Sequence, residues 1–458
     1  MYTVSFISKR SNVTLSSMRL DIPRTLTNMF QSVGVFLDLA ASKRYDKPVV
    51  DVALKQALSA IKHAAGVIVE GGHIRTICAP DEHLKAIQRK VLYSLQNLPM
   101  HEAAHGFVRG RDPLTCASAH TSYWGNQPNS LVILNMDAKN FFPSITSQVV
   151  RKGLEANRVR GADVENVISN CMCRADESMA LAVVNGLVNL ARGNDSIQKM
   201  SLKVIHAFTK GSGVEAPAGV IRRLAFGFCH GFLSLGPSVN MINKFLPQGS
   251  PTSPLLSNIA FKIVDTRLSA MAASYGGFYT RYADDLTVTW RTPTKGKIID
   301  SMYRCAELVI NEYGVSMNRA KKRVMGPGTR QDVVGLCINS GHPTISRKRR
   351  MKIKAMAHNE MVRGSKNFHL TELKRRDKFA DYTKPCPGER RLAYLMGTVG
   401  YVKSVHAREG NRYLNMIRSV SLPSSFRPIE LTYEDGIYED HPGTESRNRI
   451  FLPEMDTE

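Results

Sequence analysis

No apolar run in this 458-residue chain is long enough to cross a bilayer. Residues 1–10 lack the charged lead and long apolar stretch of a secretion signal. The eight cysteines show no paired spacing. Cys171 and Cys173 stand close together with no second pair beside them, which argues against a disulfide framework and against a zinc knuckle. All eight read as thiols, so the expected compartment is the cytoplasm, with no membrane partner. Acidic residues are scarce too, 39 against 62 lysines and arginines, for a formal net charge of +23. Such an excess favours a polyanionic partner and electrostatic steering towards it. The length suffices for one or two substantial cores.

What the chain does have is concentrated between Gly277 and Trp290. Residues 278–282 and 286–290 read as short strands rich in β-branched and aromatic side chains, with Ala283-Asp284-Asp285 as a tight turn between them. Adjacent carboxylates repel, and a divalent cation is a reason to hold them together, although a lone Asp-Asp turn more often faces solvent. A third carboxylate changes the reading. Residues 131–134 form an apolar strand that runs into Asp137. Delivered beside the hairpin tip, Asp137 would complete a cluster able to hold two Mg²⁺ ions. Between these segments, residues 245–258 form a Gly/Ser/Pro-rich loop, containing Gln248 and Gly249, that leads into an apolar helix. Such a backbone can pass close to a nucleotide.

In this order the three segments resemble the palm of a reverse transcriptase, with Asp137 as the first metal-binding aspartate, Gln248-Gly249 as the nucleotide-contacting loop and Tyr282-Ala283-Asp284-Asp285 as the signature turn. The likeness covers roughly residues 70–420. Residues 74–89 resemble the fingers, with Arg75 in the place of the triphosphate-contacting base. Residues 103–111 follow as in retron and group II-type enzymes, and residues 317–322 resemble the motif whose lysine, here Lys321, approaches the pyrophosphate. Residues 331–339 resemble the primer-gripping hairpin and residues 395–403 the start of a thumb helix. Phe142 occupies the steric-gate position beneath the deoxyribose, while Phe141 reads as core.

The resemblance implies an α+β right-hand polymerase with fingers, palm and thumb. It would be an RNA-directed DNA polymerase using dNTPs and two Mg²⁺, with Asp137, Asp284 and Asp285 catalytic and Arg75 and Lys321 neutralising the triphosphate. Within the family the likeness is to retron reverse transcriptases. Two hallmarks are altered: Cys116 stands where Asn is usual in Cys116-Ala117-Ser118-Ala119-His120, and Val334 replaces Thr in Val333-Val334-Gly335. Retron membership implies a cognate structured non-coding RNA, a branched RNA–DNA product and an antiphage role. The alternatives are a defence-associated reverse transcriptase of another class with a different priming route, or an RNA-binding scaffold that restrains a toxic effector. Oligomerisation is left open.

Along the chain, residues 1–70 read as an N-terminal extension, with a helical pattern from Val52 to Ile68. Residues 71–340 read as interleaved fingers and palm, interrupted by a helical insertion at about 150–243. Within that insertion residues 179–191 are apolar on more than one face and should be buried. Residues 341–420 hold a basic amphipathic helix and the thumb. In the helix Met351, Ile353, Met356 and Met361 would face inward, with Arg347, Lys348, Lys352 and Lys354 outward on a duplex backbone. From Ser421 the charge reverses, with nine acidic residues against three arginines. Two decoys remain. His101-Glu102-Ala103-Ala104-His105 matches a zinc-protease pattern, but Gly106 and Gly110 break the required helix and no third ligand follows. Gly211-Ser212-Gly213 superficially resembles a dinucleotide loop, but no strand precedes it.

Overall fold

The computed structural model describes residues 2–8, 15–42, 47–70, 74–174, 176–191, 194–209, 218–232, 244–363 and 388–418. The acidic segment after Ser421 and the Gly211 loop lie outside them. In chain order the first elements are β1 (Tyr2–Ser8), α1 (Leu15–Ala41), α2 (Lys47–Glu70), β2 (Ile74–Pro80), α3 (Glu82–Leu95) and α4 (Pro113–Tyr123). There follow β3 (Leu131–Lys139), α5 (Phe141–Ser144), α6 (Ser147–Ala156), α7 (Ala162–Cys171), α8 (Glu177–Leu190), α9 (Asp195–Phe208) and α10 (Ala218–Phe232). Next come α11 (Ser253–Ser274), β4 (Phe278–Tyr282), β5 (Asp285–Arg291), α12 (Gly296–Glu312), β6 (Ser316–Met317) and β7 (Arg323–Met325). The last are β8 (Asp332–Val333), β9 (Leu336–Cys337), α13 (Arg347–Arg363), α14 (Gly388–Val405) and α15 (Ala407–Arg418). Among the described residues no helix is long and apolar enough to cross a membrane.

The chain divides into two compact units. The first holds the described parts of Met1–Ala104 and Ile133–Val324. Here the N-terminal helices and the insertion, separate in the sequence reading, share one core. Phe30 and Phe36 of α1, Ile61 of α2, Val183 and Val184 of α8, Val204 of α9 and Phe228 of α10 are all buried in it. Each such side chain contributes about 1.5–3 kcal/mol on burial, which makes the two segments interdependent. The expected burial of residues 179–191 is found on one face, through Met179, Ala180, Val183, Val184, Leu187 and Ala191, while Asn185, Asn189 and Leu190 are exposed.

The same unit carries the sheet, with strand order β4-β5-β3-β6 and β7 also paired to β3. The β4–β5 hairpin closes with Tyr282 opposite Asp285, so the turn proper is Ala283-Asp284, and Asp285 already belongs to β5. This corrects the three-residue turn of the sequence reading. β5 is buried from Leu286 to Trp290, as befits a strand covered on both faces. α11 packs on β4 and on α6. A Cβ at Gly153 of α6 would lie 2.6 Å from the Ile259 carbonyl oxygen, so only glycine permits that approach.

The second unit holds the described parts of His105–Val132, Met325–Leu370 and Pro385–Glu458. In it α4 packs on the β8–β9 hairpin, and α13, α14 and α15 pack together. The hairpin turns at Val334 (φ 49°) and Gly335 (φ 82°), the two positive values a type I′ turn requires. A β-branched residue at positive φ is strained. Along α13, Ile353, Met356 and Ala357 are buried, whereas Met351 is 53 % exposed. Met351 lies about half a turn from Ile353 and so falls on the outer face, contrary to the expected inward stripe. The side chain of Met361 lies outside the described residues.

Candidate active site

β3 carries Asp137, a buried residue at 8 % exposure. The β4–β5 turn is fastened to that strand by the Ala138 N–H, which donates to the Asp284 carbonyl at 2.9 Å. The backbone therefore places Asp137 and Asp284 on hydrogen-bonded neighbours. Asp284 is half-buried and Asp285 exposed. On the other side of β3, the Asn318 N–H donates to the Asp137 carbonyl at 2.7 Å and so anchors the turn that carries Lys321. The Lys321 ammonium reaches the Asp137 carboxylate at 2.5 Å. Among the described residues no three His, Cys, Asp or Glu side chains gather closely enough to enclose a metal ion. As a donor set, neighbouring carboxylates suit a hard, oxygen-seeking divalent cation, and the Lys321 ammonium on Asp137 shows that this oxygen is accessible to positive charge.

The loop before α11 is held from several directions. The Cys78 N–H of β2 donates to the Gln248 carbonyl at 2.6 Å, which brings the loop to the strand that carries Arg75. The Arg75 side chain itself lies outside the described residues. Gly249 has φ +117°, and a Cβ there would sit 2.8 Å from the Cys78 carbonyl oxygen, so both conformation and space demand glycine. The sequence reading missed Gln88. This fully buried residue on α3 donates to the Asn170 carbonyl at 2.8 Å and accepts from Ser250 Oγ at 2.9 Å. Ser250 Oγ lies 2.9 Å from Thr252 Oγ1, and Ser253 Oγ donates to the Pro247 carbonyl at 2.7 Å. The available signal was a polar residue in register with Val91 and Leu95 on the buried stripe of α3. Phe141 is buried, as expected, and packs edge-on against Phe261, while Phe142 is half-buried.

In the second unit, α13 presents Arg347 and Lys348 to solvent, with Lys352 and Lys354 half-buried. Arg349 and Arg350 of the same helix are structural. Arg349 lies over the Tyr401 ring at 4.7 Å, and Arg350 pairs with Glu409 at 2.8 Å. On α4, Cys116 and His120 are both buried. Burial pushes His120 down to about 3 and, with the nearby Arg111 charge, His105 down to about 4, so both are neutral at pH 7. His105 Nδ1 lies 3.2 Å from Thr115 Oγ1. Residues 101–105 form turns instead of a helix, which removes the zinc-protease reading. Burial also raises the Cys78 thiol to about 12 and Cys171 to about 11, so both are inert, protonated core residues.

Residues 199–353 match the family described as Reverse transcriptase (RNA-dependent DNA polymerase). That span takes in Gln248, Gly249, Asp284, Asp285 and Lys321. The chain is 30 % identical to the Retron Mx162 reverse transcriptase of Myxococcus xanthus over 71 % of its own length and 58 % of that protein's. It is 31 % identical to the Retron Mx65 reverse transcriptase of the same organism, over 63 % of this chain and 53 % of the relative. To the Retron Ec86 reverse transcriptase of Escherichia coli it is 26 % identical, over 65 % and 72 %. The chain thus spans little more than half the length of the two Myxococcus relatives. The matched domain, the motifs inside it and these relatives show that the chain belongs to the reverse transcriptases of the retron type.

Proposed function

We propose that the protein is an RNA-directed DNA polymerase that copies a cognate structured non-coding RNA into DNA, as part of a retron that acts in antiphage defence. The observation that carries this reading is the Ala138 N–H to Asp284 carbonyl bond, because it brings the strand of Asp137 against the turn of Asp284 and Asp285. Two Mg²⁺ held by Asp137, Asp284 and Asp285 would activate the attacking 3′ oxygen and neutralise the departing pyrophosphate. The rest falls to the chain itself. Lys321, already next to Asp137, would move its charge onto the triphosphate, with Arg75 contributing from β2. The backbone at Gln248 and Gly249 would pass along the nucleotide, and Phe142 would close the space below the deoxyribose against a 2′-hydroxyl. Such catalysis is chiefly positioning and charge stabilisation.

We assign fingers and palm to residues 71–340, with the helical insertion at about 150–243, and the basic helix and thumb to 341–420. Arg347, Lys348, Lys352 and Lys354 would follow a nucleic-acid backbone. The cysteines among the described residues are free, which suits a reducing compartment and supports a cytoplasmic location. Structured RNA would be recognised by shape and by unstacked loop bases. Cys116 and Val334 cannot make the hydrogen bonds of the Asn and Thr they replace, so the details of RNA recognition would differ.

The test is to sequence the nucleic acid that co-purifies with the protein when it is expressed with its native flanking sequence. A short single-stranded DNA joined to RNA, whose 5′ end is released by a debranching enzyme, is the expected result. Protein-linked or unbranched DNA would point to a defence reverse transcriptase of another class. RNA without any DNA would favour a scaffold that restrains a toxic effector.

A further inference from the structure

We infer that Arg281 is a positioning residue of the polymerase site: a buried guanidinium that fixes the Ala283-Asp284 turn against α11 and against the Phe141 segment that follows β3. Arg281 lies inside β4, and its side chain and that of Asp265 on α11 are both 0 % exposed. Its Nε donates to Asp265 Oδ1 at 2.8 Å and its Nη2 to Asp265 Oδ2 at 2.7 Å. The third arm, Nη1, donates to the Ala283 carbonyl at 3.3 Å. Tyr279 completes the carboxylate by donating to Asp265 Oδ1 at 3.0 Å. The guanidinium carbon also lies 5.9 Å from the centre of the Phe141 ring and 5.5 Å from that of Phe261.

One cation therefore touches all three segments that build the site. Asp265 belongs to the helix that follows the Gln248-Gly249 loop. Phe141 precedes Phe142 on the segment after Asp137. Ala283 is the first residue of the turn that delivers Asp284. Ala283 has φ +56° without glycine's freedom, so the turn stays in this form only if its surroundings hold it. Arg281 grips the turn at the Ala283 carbonyl, and Ala138 grips it at the Asp284 carbonyl. Between those two bonds the Asp284 side chain has a fixed origin.

Stability alone is a poor reason for such a pair. The cost of removing two charges from water offsets most of their attraction, and apolar residues of equal volume often serve a fold as well. An apolar pair cannot hold the Ala283 carbonyl. The planar fork of arginine can satisfy a carboxylate and still present a third donor, which lysine cannot do in the same geometry.

The inference rests on the polymerase reading of Asp284, so wild-type extension of a primed RNA template is the first arm of the test. A wild-type chain that adds no nucleotide counts against that reading, while amide exchange across residues 280–288 still decides the role of Arg281. The variants are Arg281→Lys, the apolar double replacement Arg281→Met with Asp265→Leu, and Tyr279→Phe. In the first two, turn amides should exchange faster and the single-turnover rate should fall about 100-fold. The dNTP KM should move by less than about threefold, because binding is kept and alignment is lost. Tyr279→Phe should lower the melting temperature but leave the rate and the turn's exchange unchanged. Wild-type rate and turn exchange in Arg281→Lys or in a folded double variant would overturn the inference. So would an equal loss of rate in Tyr279→Phe. Failure of both Arg281 variants to fold would assign the residue to stability alone.

Discussion

At Gly249 two independent demands meet, a φ of +117° and a carbonyl 2.8 Å from where a Cβ would be. Any side chain there must push the loop away from β2. Strain of this kind costs about 1–3 kcal/mol, so Gly249→Ala should raise the dNTP KM roughly tenfold while the protein remains folded. Steady-state titration with dNTP checks this, and an unchanged KM would remove the loop from nucleotide contact. Residues such as Gly249, Asp137 and Asp284 were legible because their signals are local: a strand that ends in a carboxylate, a turn, a glycine in a loop. Arg281 was not. In the sequence it is one charge in an apolar strand, and its partner Asp265 is one charge in an apolar helix; only their approach in space shows that they neutralise each other. Lys321 stood out in the sequence as a cation proposed for the pyrophosphate, but its pairing with Asp137 was not legible there.

Among the elements, α13 joins two roles on one helix. Its buried stripe and the pair Arg349 and Arg350 attach it to α14 and α15, which leaves Arg347, Lys348, Lys352 and Lys354 as the candidates for nucleic acid. Neutralising those four should weaken RNA binding and flatten its dependence on salt by about one unit of slope per lost phosphate contact. Binding measured across a salt series decides the matter, and an unaltered slope would leave the helix to solvent. The sequence reading placed this helix correctly but turned Met351 inward, because methionine was counted as apolar without regard to the helical register set by Ile353 and Met356. The β4–β5 hairpin was placed from its β-branched and aromatic content, and its turn proved one residue shorter. Periodicity fixes which face of an element is apolar, not what covers that face. For that reason the joint core of residues 1–70 and the insertion went unread, although α8 itself was recognised as buried.

For the whole molecule, the formal charge of +23 supplies attraction to any polyanion, and only a site such as the one proposed would make that attraction catalytic. A scaffold needs the basic surface alone. A polymerase also needs carboxylates that hold cations beside the primer end, and here Asp137 and the Asp284 turn lie on hydrogen-bonded neighbours. The measurement that separates the two is primer extension on an RNA template by the purified 458-residue chain, with RNA binding followed in parallel. The wild-type protein should extend the primer in the presence of Mg²⁺. Asp284→Asn with Asp285→Asn should abolish extension while RNA binding holds, because the change removes charge from the site and none from the basic surface. Extension by this double variant at the wild-type rate would contradict the account.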